Sequence, residues 1–175
     1  MIMKTTNKNY FGHLWELFFY LALCFFIPIY FDSKYEKGTA EILLIISTVW
    51  FFLLCFPAIV LFFRYVIVNK NVKIKYQKNS INILVSNESR VVALDEVDSV
   101  EIKLTLPVFY NGIRFLATDS FLCAVVYLKT GENFTITTLI DNELIETKNY
   151  FKNKVKVERK LRFICWPSKL KLAMN

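Results

Sequence analysis

A run of 22 residues without a charged side chain, residues 42–63, is the strongest constraint that the sequence places on its fold. In a helix that rises about 1.5 Å per residue, such a run crosses the roughly 30 Å of a bilayer's hydrocarbon core. A second apolar run, residues 11–31, is 21 residues long. We therefore predict two transmembrane helices. The alternative is a pair of buried helices in a soluble core, but no other part of the chain is apolar enough to bury them.

The residues that flank the two spans predict their orientation. Lys4 and Lys8 precede the first span, a slightly acidic connector joins the two, and several basic residues follow the second. The first run is longer than the apolar region of a signal peptide and no small-residue cleavage site follows it, so we expect a retained anchor. By the positive-inside rule both termini are predicted to be cytoplasmic, with the helices in an antiparallel hairpin. Pro28 and Pro57 are expected to kink these helices.

The net charge of +7 is unevenly distributed along the chain. Residues 1–63 are balanced, whereas residues 148–175 contain nine Lys or Arg and one acid, Glu158. Because this basic segment would lie beside a bilayer with its own negative surface, the expected partner is membrane lipid rather than nucleic acid.

After residue 63 the apolar pattern changes from a continuous run to alternation, which is typical of half-buried strands. Turn-forming residues separate most of the apolar segments. A helix is predicted to begin at Asp141, a favourable N-cap, with an apolar stripe of Leu144, Ile145, Tyr150 and Phe151. The predicted strands cover residues 65–68, 72–76, 81–85, 90–94, 99–106, 121–128 and 134–139.

The segment YQKNSINILVSNESRVVALDEVDSVEIKL, residues 76–104, resembles the start of bacterial pleckstrin-homology-like (PH-like) domains. Two preceding apolar helices also resemble the membrane proteins that carry such domains, and the likeness extends over about residues 11–151. The resemblance implies a two-sheet domain of seven strands with a C-terminal capping helix, used for binding rather than catalysis. It also implies the inner membrane of a bacterium as the location.

The predicted fold class is thus a membrane protein with two parts. Residues 1–63 form a transmembrane α-hairpin, and residues 64–175 form a cytoplasmic, mainly-β PH-like domain with a basic C-terminal tail.

The sequence has few residues suited to catalysis. Its one histidine lies at the predicted membrane boundary, and its four glycines are too scattered for a phosphate-binding loop. The acids Asp95, Glu96, Asp98 and Glu101 lie in and beside a predicted turn, where we expect solvation rather than metal binding. Cys123 is expected in the core. We predict no enzyme activity, no metal and no cofactor.

His13 and Glu16 lie three residues apart and would share a helix face near the cytoplasmic boundary. Ionisable groups within a membrane are costly and often functional, so a proton or ion relay is one interpretation. The other is that both side chains lie at headgroup level, where water or a partner helix satisfies them.

The loop of residues 107–115 is the first candidate binding surface. Aromatic residues and arginine recur at protein-binding hot spots. Alternatively, these rings close one end of the β-domain. The candidate residues are Phe109, Tyr110, Arg114 and Phe115.

The basic tail is the second candidate surface. Basic residues mixed with apolar ones can lie on an anionic leaflet, which would orient the tethered domain. The alternative is an additional strand with a solvated basic edge. The candidate residues are Lys152, Lys154, Lys156, Arg159, Lys160, Arg162 and Trp166.

Taken together, these features predict a non-catalytic scaffold whose PH-like domain binds protein partners at the cytoplasmic membrane face, as a subunit of a membrane complex. Two alternatives are an anionic-lipid-sensing module and an accessory component of a small transporter or channel that works through His13 and Glu16.

Overall fold

The computed structural model describes residues 2–4, 7–32, 39–85, 88–113 and 116–167 of the chain. Its first half is mainly helical. Helix α1 packs against α2, and α2 continues through a π-helical turn into α3. The bounds are α1 Asn7–Asp32, α2 Thr39–Trp50, the π turn Phe51–Cys55 and α3 Phe56–Asn69.

The second helical segment has the dimensions of a membrane span. Among the described residues, Glu41–Asn69 is the one helix whose length and composition would allow it to cross a membrane, and only 12% of its most apolar stretch is buried. Leu17–Tyr30, in α1, is apolar but shorter. Both predicted spans therefore stay predictions, and the length and composition of Glu41–Asn69 are compatible with the second.

The π turn ends at Cys55, two residues before Pro57. Proline has no amide hydrogen, so one carbonyl of the preceding turn loses its helical donor. The amide of Phe56 donates to the carbonyl of Phe51, five residues back, which is the π-helical pattern. The irregularity expected at Pro57 therefore takes the form of a π turn within a continuous helix.

Two four-stranded sheets form the second half of the molecule. The first has the strand order β1-β2-β3-β4 and is antiparallel throughout. Its strands are β1 Ile2–Lys4, β2 Val72–Tyr76, β3 Ser80–Val85 and β4 Glu88–Ala93. Since β1 pairs with β2, the residues before α1 and those after α3 lie in one sheet, and the helices form an insertion between two neighbouring strands.

The second sheet has the order β7-β6-β5-β8, and its edge strand β8 runs parallel to β5. Its strands are β5 Val97–Leu104, β6 Cys123–Leu128, β7 Asn133–Thr137 and β8 Lys156–Leu161. Two short helices complete the domain, α4 Leu106–Phe109 and α5 Ile145–Phe151. From the sequence, the basic tail could form either a membrane-surface segment or an additional strand. Its residues Lys156–Leu161 form a strand.

One predicted strand is wrong. Residues 65–68 belong to α3, which continues to Asn69. Leu61, Tyr65 and Asn69 recur every four residues and are buried on one side of the helix, so packing against the β-domain stabilises another turn and a half of helix.

The predicted apolar stripe of the closing helix is correct in part. Leu144 and Phe151 are fully buried, and Tyr150 packs against the core at its side, with its ring 4.6 Å from that of Tyr76. Ile145, however, is half exposed. The prediction failed there because residues 142–144 form a 3₁₀ turn with left-handed backbone at Glu143 and Leu144, which shifts the phase of the helix that follows.

A bidentate ion pair joins the two sheets. Arg90 on β4 donates to both carboxylate oxygens of Glu132, in the β6–β7 turn, at 3.0 and 2.7 Å. Both side chains are largely shielded from solvent. Replacing Glu132 with alanine should therefore lower the free energy of unfolding by about 1 kcal/mol. Denaturant unfolding in detergent would measure the change, and the exposed Glu88 on the same strand, replaced by alanine, is the control. Equal effects of the two substitutions would contradict a role for this pair.

The junction between the helices and the β-domain is packed. The Tyr65 hydroxyl donates to the carbonyl of Cys165 at 2.7 Å, and its ring packs edge-on against Phe121 with centroids 5.1 Å apart. The 3₁₀ turn Ala117–Ser120 lies against α1, the π turn and α3. The helices and the β-domain thus share one continuous core at this end.

Candidate functional site

A cleft of about 250 Å³ opens beside the C-terminal end of β5. One wall comes from β5 and the loop that contains α4 (residues 106–112, the α4 loop), a second wall comes from α5 and the turn before it, and the edge strand β8 contributes a cation. The lining residues are Leu104, Val108, Asn111, Gly112, Leu122, Glu143, Lys148 and Arg159.

The α4 loop forms the first wall because backbone hydrogen bonds fold it back on itself. Pro107 lies in the first turn of α4, where its missing amide hydrogen costs nothing. Asn111 has a left-handed backbone (φ 55°), which asparagine tolerates better than most residues, and the amide of Gly112 closes the loop on the carbonyl of Pro107 at 2.7 Å. The Asn-Gly pair is the sequence signal for this turn.

The second wall depends on Asp141. Its Oδ2 accepts hydrogen bonds from the amide and the hydroxyl of Thr147, both at 2.6 Å, and its Oδ1 accepts one from the amide of Glu146 at 3.2 Å. The carboxylate therefore caps α5 across the intervening 3₁₀ turn. Glu143 and Leu144 between them have φ of 55° and 57°, a conformation that costs of order 1 kcal/mol or more for such residues. Strained backbone of this kind concentrates at binding sites.

The charge of the cleft comes chiefly from β8. Arg159 is in register with the buried Ile102, so its side chain leaves the sheet on the face that carries the core. Within the described part of the chain, its guanidinium has no ion-pair partner. The Lys148 ammonium donates to the backbone carbonyl of Glu143 at 3.0 Å. A planar cation in a cleft with mainly polar walls suits a carboxylate or phosphate group of a ligand.

The residues predicted in the 107–115 loop have different environments. Phe109 is partly buried and packs against the core, as the end-closing alternative predicts. Tyr110 is 69% exposed, and its ring lies 5.1 Å from that of Phe109. Arg114 and Phe115 lie outside the described residues. The sequence pattern did not indicate that Asn111 of this loop would lie in one cleft with Glu143 and Lys148.

The basic tail residues do not form one surface. Lys152 and Lys154 are exposed in the turn after α5, where the Lys154 ammonium lies 4.1 Å from the centre of the Tyr150 ring. The alternation of β8 places Lys156 and Lys160 on one face and Arg159 on the other. Trp166 is half exposed, with the guanidinium of Arg64 6.0 Å from its ring centre.

Three ion pairs between described residues lie on the outer face of β8 and just after it. The Lys156 ammonium lies 2.6 Å from Glu158, and that of Lys160 lies 2.8 Å from Glu101, a buried carboxylate that Arg162 also approaches at 3.9 Å. The predicted membrane-surface set is therefore partly neutralised by acids of the same sheet.

Cys123 is fully buried, as predicted, and Cys165 is buried beside it. Burial raises the pKa of the Cys123 thiol to about 11 and that of Cys165 to about 12. Both thiols are protonated at neutral pH and are therefore poor nucleophiles. Among the described residues, no group of three or more His, Cys, Asp and Glu side chains is arranged to hold a metal ion. The side chains of His13 and Glu16, on α1, lie outside the described residues.

The fold and the cleft define a class of protein: a two-sheet β-domain with a closing helix, a scaffold generally used for non-catalytic binding. The chain belongs to the PH domain family, whose model matches residues 2–148 and so includes the apolar helices. Comparison with curated proteins gave no match, and neither did comparison with solved structures.

Proposed function

We propose that the protein is a membrane-anchored, non-catalytic binding module of a bacterial inner membrane, in which the helical hairpin crosses the bilayer and the PH domain binds a protein partner at the cytoplasmic face. The observation that carries this proposal is the continuity of the helix Glu41–Asn69. Its first part exposes large apolar side chains, and one face of its last turns, at Leu61 and Tyr65, is buried in the core of the β-domain. Such a helix joins anchor and binding domain without a flexible linker.

The pairing of β1 with β2 supports a hairpin topology. Both ends of the helical insertion enter the same sheet, so the helices must leave and return on one side. The positive charge beside both ends favours the cytoplasm as that side.

The cleft beside α4 is the proposed partner-binding site. Arg159 has no ion-pair partner among the described residues, whereas Lys156 and Lys160 on the other face of β8 are already paired with acids. This distribution favours recognition of one acidic group of a protein partner over a diffuse anionic surface. In the proposed membrane complex, a carboxylate of the protein partner therefore lies against the guanidinium of Arg159.

Replacing Arg159 with alanine should reduce recovery of the partner about ten-fold or more, because a charge-assisted hydrogen bond contributes about 1.5–3 kcal/mol. The measurement is quantitative mass spectrometry of proteins that co-purify with the full-length chain after mild detergent extraction. Lys156→Ala, on the same strand but the opposite face, is the matched control. Equal recovery with both variants, or recovery of lipid alone, would contradict the proposal.

A further inference from the structure

One end of the β-domain carries large apolar side chains that are mostly exposed. Ile113 is 74% exposed and Phe163 is 83% exposed, and Leu106, Tyr110 and Trp166 are also exposed. A contiguous apolar patch on a protein surface marks a contact with a partner or a membrane. These five residues form a surface that we call the apolar rim.

The sheet pairing brings the rim together. Strands β5 and β8 are parallel, Leu104 is in register with Leu161, and the amide of Arg162 donates to the carbonyl of Leu104 at 2.8 Å. Leu106 and Phe163 each follow the end of one of these strands by two residues, so both lie at the same end of the sheet. Helix α4, which begins with Leu106 and is followed by Tyr110 and Ile113, packs against β8.

This end of the sheet is the one that meets the helices. Strand β6 begins at Cys123, opposite Lys103 of β5, and the turn Ala117–Ser120 just before it packs against α1, the π turn and α3. The carbonyl of Cys165 accepts the Tyr65 hydroxyl, and Trp166 lies beside Arg64. Trp166 of the rim and its neighbour Cys165 are thus adjacent to α3, at Arg64 and Tyr65.

Helix α3 has an apolar exposed face that continues beyond Leu61, where the helix begins to pack against the β-domain. Phe56, Val60, Phe63 and Ile67 are spaced by four, three and four residues and are all exposed, while Leu61 and Tyr65 on the other side are buried. The 29 residues of Glu41–Asn69 extend for about 43 Å, roughly 13 Å more than a hydrocarbon core. The final turns of α3 therefore reach the layer of lipid headgroups together with the domain beside them.

We propose that the apolar rim inserts into the interfacial layer of the bilayer that surrounds the helices. This inference rests on the proposed membrane anchoring and specifies which surface of the domain faces the lipid. Lipid is the expected occupant because Trp166 of the rim lies beside Arg64 of α3, the same helix that exposes an apolar face. Its composition agrees, because the rim contains tryptophan and tyrosine, which are enriched at membrane interfaces. Tyr110, considered above for protein binding, becomes a lipid contact, and insertion of the rim fixes the domain's orientation.

Site-specific photocrosslinking tests the rim. A benzoylphenylalanine is placed at Ile113 or Phe163 in the full-length chain, reconstituted in phosphatidylethanolamine and phosphatidylglycerol vesicles and also expressed in native membranes. Both positions are so exposed that the larger side chain leaves packing intact. Lys129, exposed in the turn at the opposite end of β6, is the negative control position, and Ile45, exposed on α2, reports on anchoring.

The expected result is lipid adducts at Ile113 and Phe163, at least about ten-fold more abundant than at Lys129 and comparable with Ile45. If lipid adducts formed at Ile45 but not at Ile113 and Phe163, the rim proposal would be overturned and the proposed membrane anchoring would stand. Protein adducts in place of lipid adducts at the two rim positions would overturn it too, and would make the rim a partner surface. Absence of lipid adducts at Ile45 would overturn membrane anchoring and the rim proposal with it.

Discussion

Replacement of Tyr65 by alanine is expected to lower the free energy of unfolding by about 3–5 kcal/mol. The side chain is fully buried at the junction of α3 and the β-domain, where its ring packs edge-on against Phe121. Truncation leaves a cavity and removes the hydroxyl that donates to the carbonyl of Cys165. That carbonyl would then lie in the core without this donor. Thermal or denaturant unfolding of the full-length protein in detergent measures the loss.

Two further variants separate the contributions to this loss. Tyr65→Phe keeps the ring and removes only the hydrogen bond, so we expect a loss of about 1–2 kcal/mol. Ile67→Ala changes an exposed residue of the same helix and should shift stability by no more than about 0.5 kcal/mol in detergent. If Tyr65→Ala were no more destabilising than Ile67→Ala, the helix and the domain would not share a core.

The sequence pattern predicted the strands whose neighbours in the sheet are also neighbours in the chain. Residues 72–76 form β2 as predicted, and residues 81–85 lie within β3, because one face of each strand is buried and gives a clear alternation. Residues 65–68 have the β-branched composition of a strand as well. They are helical because α3 packs against the β-domain through Tyr65, which contacts the distant residues Phe121 and Cys165.

The pairings that no pattern indicated join distant parts of the chain. Strand β1 has only three residues, too few for a period, and pairs with β2 across the whole helical insertion. Strand β8 is parallel to β5 although it follows a helix that was expected to end the domain. Both are edge strands whose position is determined by the sheet that receives them rather than by their own composition.

The candidate site was only partly predictable, because it too is built from distant parts of the chain. The α4 loop was recognisable from its aromatic residues, and Asp141 was recognisable as a cap. Arg159 was expected either on a membrane surface or on a solvated strand edge, because the one-dimensional pattern shows a basic run and not which face of β8 each cation occupies. Its position in the cleft depends on the register of β8 with β5.

Replacement of Asp141 by alanine is expected to lower the free energy of unfolding by about 2–4 kcal/mol, because three donors lose their acceptor and those of Thr147 are buried. Asp141 itself is almost fully buried and joins the turn at residues 142–144 to α5. Without the carboxylate, the left-handed backbone of Glu143 and Leu144 loses the contacts that offset its strain. Unfolding of the full-length chain in detergent measures the change, with the exposed Asp95→Ala as control.

Asp141 also ties stability to binding, because the segment that it holds is one wall of the cleft. Asp141→Asn retains an acceptor oxygen but loses the charge. Its free energy of unfolding should therefore lie between those of the wild type and the alanine variant. If the cleft binds the partner, recovery of that partner should fall with both Asp141 variants at temperatures where the protein is still folded, and should remain unchanged with Asp95→Ala. Full recovery with a folded Asp141→Ala protein would separate the strained turn from binding and confine the site to Arg159 and the α4 loop.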